Sequence, residues 1–182
     1  DGQNIRYLSL DNYRSQNTLI DGKPVFFGAT IEENLRKVQP GISEREFQEI
    51  LEISGLQKVL ENLPEGISTE INQFGMPLSQ GDRVTLALAR GLMSGPRILL
   101  IDEALANLDK SGQISFFENF AKISELKTVI MATHDLRSTA QFEQIIVLDK
   151  GTAVGQGTHG DLLKTCPLYQ ELWTMEQKLT GT

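Results

Sequence analysis

The stretch Leu78 to Asp109 reads LSQGDRVTLALARGLMSGPRILLIDEALANLD, and the order of its parts decides the fold: a polar turn, a helix, a buried strand, two carboxylates. Ser79 is placed to cap the helix, and Asp82, three residues on, is an acid where the helix dipole favours one. A helix start of this kind attracts anions. Val84, Leu86, Ala87, Leu88, Ala89, Leu92 and Met93 make the helix apolar nearly all round, so it is predicted to be packed on most sides. Ser94-Gly95-Pro96 stops it. Ile98 to Ile101 is a short continuous apolar run, predicted to be a central parallel strand covered on both faces.

That strand ends abruptly in Asp102-Glu103. Two adjacent acids are costly in an interior, so they are expected to open into the crevice at the carboxyl end of a sheet. Neighbours on an extended chain point different ways. A division of labour follows, with one carboxylate serving a hydrated metal and the other orienting water. A strand that simply ends in charged residues would read the same, and spacing alone leaves both readings open.

The stretch resembles the ATP-binding cassette (ABC) family. LSQGD is similar to that family's LSGGQ signature, ILLIDE to its Walker B strand and ANLD to its D-loop, while His134 in MATHD resembles the switch histidine. Four motifs in the right order and at fitting intervals are far more specific than any one alone.

The balance of charge agrees. The 182 residues carry a net charge of −7, which argues against a partner held by phosphate neutralisation, so no nucleic acid is expected. The single cysteine, Cys166, excludes an internal disulfide and is read as a small packed residue. No apolar run approaches the roughly 18 residues needed to cross a bilayer, so work at a membrane would go through a partner.

Upstream of the signature, residues 1–20 hold a turn-like Asp1-Gly2, a strand near Asn4 to Tyr7 and a helix across Asp11 to Gln16, and resemble the exporter segment that leads to the Q-loop. The phosphate-cradling pattern G-x-x-x-x-G-K-[ST] occurs nowhere in the 182 residues. Gly22-Lys23-Pro24 lacks the first glycine and the hydroxyl, Pro24 cannot donate a backbone N–H, and the tripeptide is read as a turn. The chain is therefore expected to begin inside a domain, amino-terminally truncated. Residues 24–35 are similar to the exporter segment after the Q-loop, which puts Gly22 where the family has its glutamine, with Asp21 the nearest candidate substitute. Phe26 and Phe27 are expected in the core. Ser43 and Glu46 form a capping box for a helix, a second short helix spans Leu56 to Leu60, and residues 69–75 read as a polar loop.

Downstream, a helix over Gln113 to Ile123 and a strand over Thr128 to Thr133 complete a parallel crossover that brings His134 to the sheet edge of Asp102 and Glu103. Ile145 to Leu148 and Ala153 to Gln156 are strands joined by a turn, Thr158 and Asp161 cap a helix with His159 a mere loop residue, and Leu168 to Leu179 is amphipathic and expected to pack on the sheet.

The resemblance implies an α/β fold, a P-loop NTPase-like parallel sheet core, partial because the P-loop region is missing, with an inserted α-helical signature subdomain. Residues 1–27 would be the remnant of the amino-terminal catalytic core, 28–96 the helical subdomain with the signature, and 97–182 the carboxy-terminal part of the core. It also implies ATP and Mg2+ as cofactors, a second nucleotide-binding domain (homo- or heterodimer) and a transmembrane domain as partners, and the cytoplasmic face of the cell membrane as location. Ser79 and Gly81 would contact a γ-phosphate in trans, Asp102 would hold magnesium through water, Glu103 would be the general base or water positioner, His134 would brace the γ-phosphate and Asp109 would communicate across the dimer. Gln80 replaces a signature glycine and Asp82 its glutamine. An added acid near a triphosphate is unfavourable unless its side chain turns back to the helix N–H groups. The function the resemblance implies is the ATP-hydrolysing motor domain of an ABC exporter, acting as a dimer to drive transmembrane transport, with a degenerate, non-hydrolysing cassette serving as structural partner as the alternative.

Overall fold

The computed structural model describes residues 4–108 and 110–180. It divides into two compact units, one running to Ala132 and one from Thr133 onward.

The first unit opens with a single 3-10 turn, Ile5–Tyr7, where a strand was expected. The Asn4 side chain accepts from the Arg6 amide (3.0 Å) and its carbonyl from that of Tyr7 (3.0 Å), so local bonds replace a strand ladder. Helix α1 (Leu10–Gln16), capped by Ser9, leads into strand β1 (Asn17–Asp21). Two-residue strand β2 (Ala29–Thr30) precedes α2 (Ile31–Arg36), α3 (Glu44–Ser54) and α4 (Leu56–Glu61). Both α2 and α3 start with full capping boxes, Thr30 with Glu33 and the expected Ser43 with Glu46. Strand β3 (Glu70–Ile71) pairs antiparallel with β2, giving the segment read as a polar loop a short ladder. Phe26 is buried, whereas Phe27 is 43% exposed with the Lys37 ammonium 4.2 Å above its ring.

Helix α5 (Gln80–Met93) is the hub, with α2, α3 and α4 packed on it and eight of its residues from Val84 to Met93 buried. It also lies against β1. A Cβ on Gly91 would meet Ile20 Cδ1 at 2.6 Å and Thr18 Cγ2 at 3.0 Å, so the bare backbone is what lets helix and strand approach. Gly91→Ala needs the tip of Ile20 to turn and the Thr18 methyl to give by a few tenths of an ångström. Gly91→Val should lower stability by about 1–3 kcal/mol through overpacking, read as a fall in the denaturant midpoint at unchanged slope.

Strand β4 (Ile98–Asp102), helix α6 (Lys110–Leu126) and strand β5 (Thr128–Ala132) follow. β4 is central in a parallel sheet of order β1-β4-β5, as its apolar run predicted. Its cover is uneven. Leu99 and Ile101 are buried, Ile98 and Leu100 only partly, because Leu100 stands in register between Leu19 (58% exposed) and Ile130 (56% exposed) on the sheet's less covered face.

In the second unit, α7 (Leu136–Thr139) precedes an antiparallel hairpin of β6 (Ile145–Asp149) and β7 (Thr152–Gly157), then α8 (His159–Thr165) and α9 (Pro167–Thr180). Val147, Leu162, Cys166 and Tyr169 form its core, so Cys166 is the packed residue expected. α9 packs chiefly on α7 and α8, and Leu172 and Met175, expected on its apolar face, are exposed. Among the described residues no helix is long and apolar enough to cross a membrane.

Candidate functional site

The signature turn is exposed at Ser79 and Gln80 and half-buried at Gly81 and Asp82. Ser79 has extended backbone and its Oγ accepts from the Asp82 amide (3.1 Å), the expected cap. The Asp82 side chain does turn back, but onto a different group. Its Oδ2 accepts the hydroxyl proton of Ser79 at 2.6 Å. That proton is the only one the serine has, so the acid and the cap satisfy each other. The loop before the turn is pinned by Arg83, which donates from Nε to the Ser79 carbonyl (3.2 Å) and from a terminal guanidinium nitrogen to the Phe74 carbonyl (3.0 Å). Gly75 makes room for it. A Cβ there would meet Arg83 Cγ and Cδ at 2.6 Å, and its φ of 76° is a left-handed conformation that suits glycine.

The second cluster sits at the carboxyl edge of the sheet, where Asp21, Asp102 and Ala132 stand side by side in register. Paired residues of parallel strands share a face, so two exposed carboxylates flank one another. The sequence offers Asp21 only as a substitute for the family glutamine whose place Gly22 takes; its pairing with Asp102 needs the register, which no sequence motif records. Asp21 Oδ1 also accepts from the Lys23 amide (2.8 Å), closing the turn expected at residues 22–24.

Glu103 does not continue the strand. It is left-handed, with φ 50° and ψ 9°, while its amide donates to the Ala132 carbonyl at 3.0 Å. For a side chain with a Cβ that conformation costs roughly 1–2 kcal/mol. The bend turns Glu103 out of the strand, so the two acids part through a kink rather than through simple alternation. Buried Ala104 and Leu105 begin the 3-10 turn that follows. Gln113 Nε2 holds that turn by donating to the carbonyls of Leu105 (3.2 Å) and Leu108 (3.4 Å). Asp109 lies outside the described residues.

His134 belongs to the second unit and is exposed. Its loop is held next door, where the Asp135 amide donates to Thr133 Oγ1 (3.0 Å) and Asp135 caps α7. β5 ends two residues earlier at Ala132, opposite Asp102. His159, read as a loop residue, proves to be the first residue of α8 with its ring bonded to Tyr169.

A parallel sheet with acids at its carboxyl edge, preceded by a serine-capped helix start, is the arrangement of an ABC ATPase, and the chain belongs to the ABC transporter family, whose model matches residues 1–106. The chain is 31% identical over its whole length to a multidrug resistance ABC transporter ATP-binding and permease protein of Lactococcus lactis, covering 31% of that protein. It is 30% identical over 178 residues to ATP-binding cassette sub-family B member 6 of Mesocricetus auratus, covering 98% of this chain and 21% of that one. A solved bacterial Atm1-family ABC exporter with ATP bound superposes with a TM-score of 0.88 at 31% identity, over 96% of this chain and 31% of that one. The chain thus spans under a third of the length of each of these proteins, and the family implies ATP as the nucleotide.

Two adjacent carboxylates fit a magnesium ion, a hard cation that keeps much of its own water, and among the described residues no cluster of three or more His, Cys, Asp or Glu competes as a metal cage. The fit to ATP is partial. The helix start at Ser79 suits an outer phosphate, whereas the cradle pattern is absent from the 182 residues.

Proposed function

We propose that these residues form part of the ATP-hydrolysing domain of an ABC exporter, working opposite a second nucleotide-binding domain and coupled to a transmembrane domain at the cytoplasmic face of the membrane. The observation that carries this reading is the registered edge Asp21–Asp102 with Glu103 kinked out beside it. The division into a core remnant (1–27), a helical signature region (28–96) and a carboxy-terminal core part (97–182) is proposed with it, supported by the clustering of α2 to α5.

Bound ATP would supply the phosphoanhydride whose hydrolysis resets transport, with magnesium neutralising phosphate charge. The chain's own residues do the rest. Asp102, with Asp21 beside it, would hold the metal's water shell by its carboxylate oxygens. Glu103 accepts a proton from the attacking water or orients it. Ser79 and Gly81, at the start of α5, face an outer phosphate held by the opposite domain, and His134 braces the γ-phosphate of this domain's own nucleotide by donating a hydrogen bond.

A second reading, a non-hydrolysing cassette that serves as structural partner, draws on two observations. Asp82 occupies the Ser79 hydroxyl proton and adds negative charge at the phosphate-facing turn, and Gly22 stands where the family glutamine is expected. On either reading the 182-residue chain by itself should bind ATP·Mg only in the millimolar range or weaker and hydrolyse none measurably. Calorimetry tests this directly, and micromolar affinity would mean that phosphate contacts exist which the reading has missed.

A further inference from the structure

The second unit contains a chain of three hydrogen bonds whose directions are determined. Thr139 Oγ1 lies 2.6 Å from the Leu136 carbonyl oxygen, which can only accept, so the threonine's one proton points there. The same Oγ1 lies 2.8 Å from the Tyr169 hydroxyl. With the threonine proton committed, the tyrosine must be the donor. Tyr169 has then used its own single proton, and the third contact, His159 Nδ1 to Tyr169 Oη at 2.8 Å, requires that Nδ1 carry the hydrogen. His159 is thereby assigned as the Nδ1–H tautomer, its ring held edge-on against Trp173 with centroids 4.5 Å apart.

The relay ends on the short helix that follows the switch histidine. Thr139 is the last residue of α7, Asp135 is its cap, and His134 precedes the cap. α9 grips the same helix near its other end, where Arg137 Nε reaches both Asp135 and Glu176 at 3.2 Å. The Tyr169 contact is the buried one, at 1% exposure, whereas the Arg137 pair is solvated and weaker for it.

We propose that Tyr169 and His159 are positioning residues for His134: the one-way relay His159 to Tyr169 to Thr139 locks α7 against α9 and so sets where the His134–Asp135 segment stands. The consequence for catalysis rests on the proposed role of His134 toward the γ-phosphate; the relay itself does not. With only two histidines in the chain, each can be followed separately. The experiment is a side-chain 15N spectrum of the full chain labelled at histidine, at a pH of about 8.5, above the ordinary imidazole range. His159→Gln assigns the signals.

The expected spectrum shows His159 protonated at Nδ1 and bare at Nε2. Thr139→Val, close to isosteric, removes the tyrosine's acceptor, so its proton turns to Nδ1 and His159 switches to the Nε2–H form; Thr139→Ser restores the original pattern. Both Thr139→Val and Tyr169→Phe should also shift the His134 resonances. Nε2–H in the unaltered chain, or no switch in Thr139→Val, would overturn the relay. A His134 signal unmoved in Thr139→Val, which keeps the packing even should Tyr169→Phe unfold the unit, would overturn the positioning. These readouts need no nucleotide, so they fail separately from the role of His134, which His134→Ala tests through ATP hydrolysis by the assembled exporter.

Discussion

Glu103→Gln should slow ATP hydrolysis by the assembled exporter roughly 10²- to 10⁴-fold, the span that a positioned general base contributes, while nucleotide binding stays near its starting value. The substitution keeps the size and shape of the side chain and leaves the left-handed backbone as it is, with φ 50° and the amide bonded to the Ala132 carbonyl. The negative charge goes, and with it the capacity to take a proton from water. Glu103→Gly provides the control, since glycine adopts that φ without strain and should return about 1 kcal/mol of stability or more while abolishing the same step. Steady-state phosphate release and nucleotide binding are the two measurements. If hydrolysis at this site is unchanged by Glu103→Gln, the cassette does not catalyse and the structural-partner reading takes its place.

Much of the framework was legible because it rests on strong local patterns. An apolar run of strand length between a Gly-Pro stop and two acids had few ways to fold, and β4 is the central parallel strand. α5 is apolar nearly all round and is packed nearly all round. Ser43 with Glu46 and Thr158 with Asp161 cap helices as their spacing required, and hydrogen bonds from the Thr158 hydroxyl, then from its backbone amide, hold the Asp161 carboxyl below the usual carboxylate range. Asn4 to Tyr7 failed because a side-chain turn competes there with a ladder, and nothing in four residues weighs one against the other.

The site was legible in its membership more than in its geometry. Asp102 and Glu103 are adjacent in sequence, so they were found together; Asp21 joins them only through strand register, 81 residues away and invisible to any motif. The kink at Glu103 is a backbone property that a glutamate does not announce. His159 was dismissed because a histidine near a cap has no distinctive spacing, yet its partner Tyr169 lies ten residues on across a helix junction. Relations of this kind belong to packing, and packing between elements is what a one-dimensional pattern omits.

Asp82→Gln is expected to tighten ATP·Mg binding by the assembled pair of domains about 5- to 100-fold. Two contributions act in the same direction. The carboxylate Oδ2 occupies the Ser79 hydroxyl at 2.6 Å, so a phosphate approaching this turn must displace a charge-assisted bond before the serine can serve it. The carboxylate is also a like charge beside a polyanion. A unit pair about 5 Å apart repels by about 0.8 kcal/mol at the dielectric of water and by about 3 kcal/mol at an effective constant near 20, and every 1.4 kcal/mol is a factor of ten in affinity. Glutamine removes the charge and keeps an amide oxygen able to accept the same proton, so the cap of α5 should survive with at most a small loss in stability. Salt separates the two contributions, because repulsion from a half-buried acid that still meets solvent weakens with ionic strength whereas competition for a hydroxyl proton does not. A gain that fades between low and physiological salt identifies the charge, and one that persists identifies the occupied serine. No gain at either salt would mean that no phosphate meets this turn, and the assignment of Ser79, Gln80, Gly81 and Asp82 to nucleotide binding would fall with it.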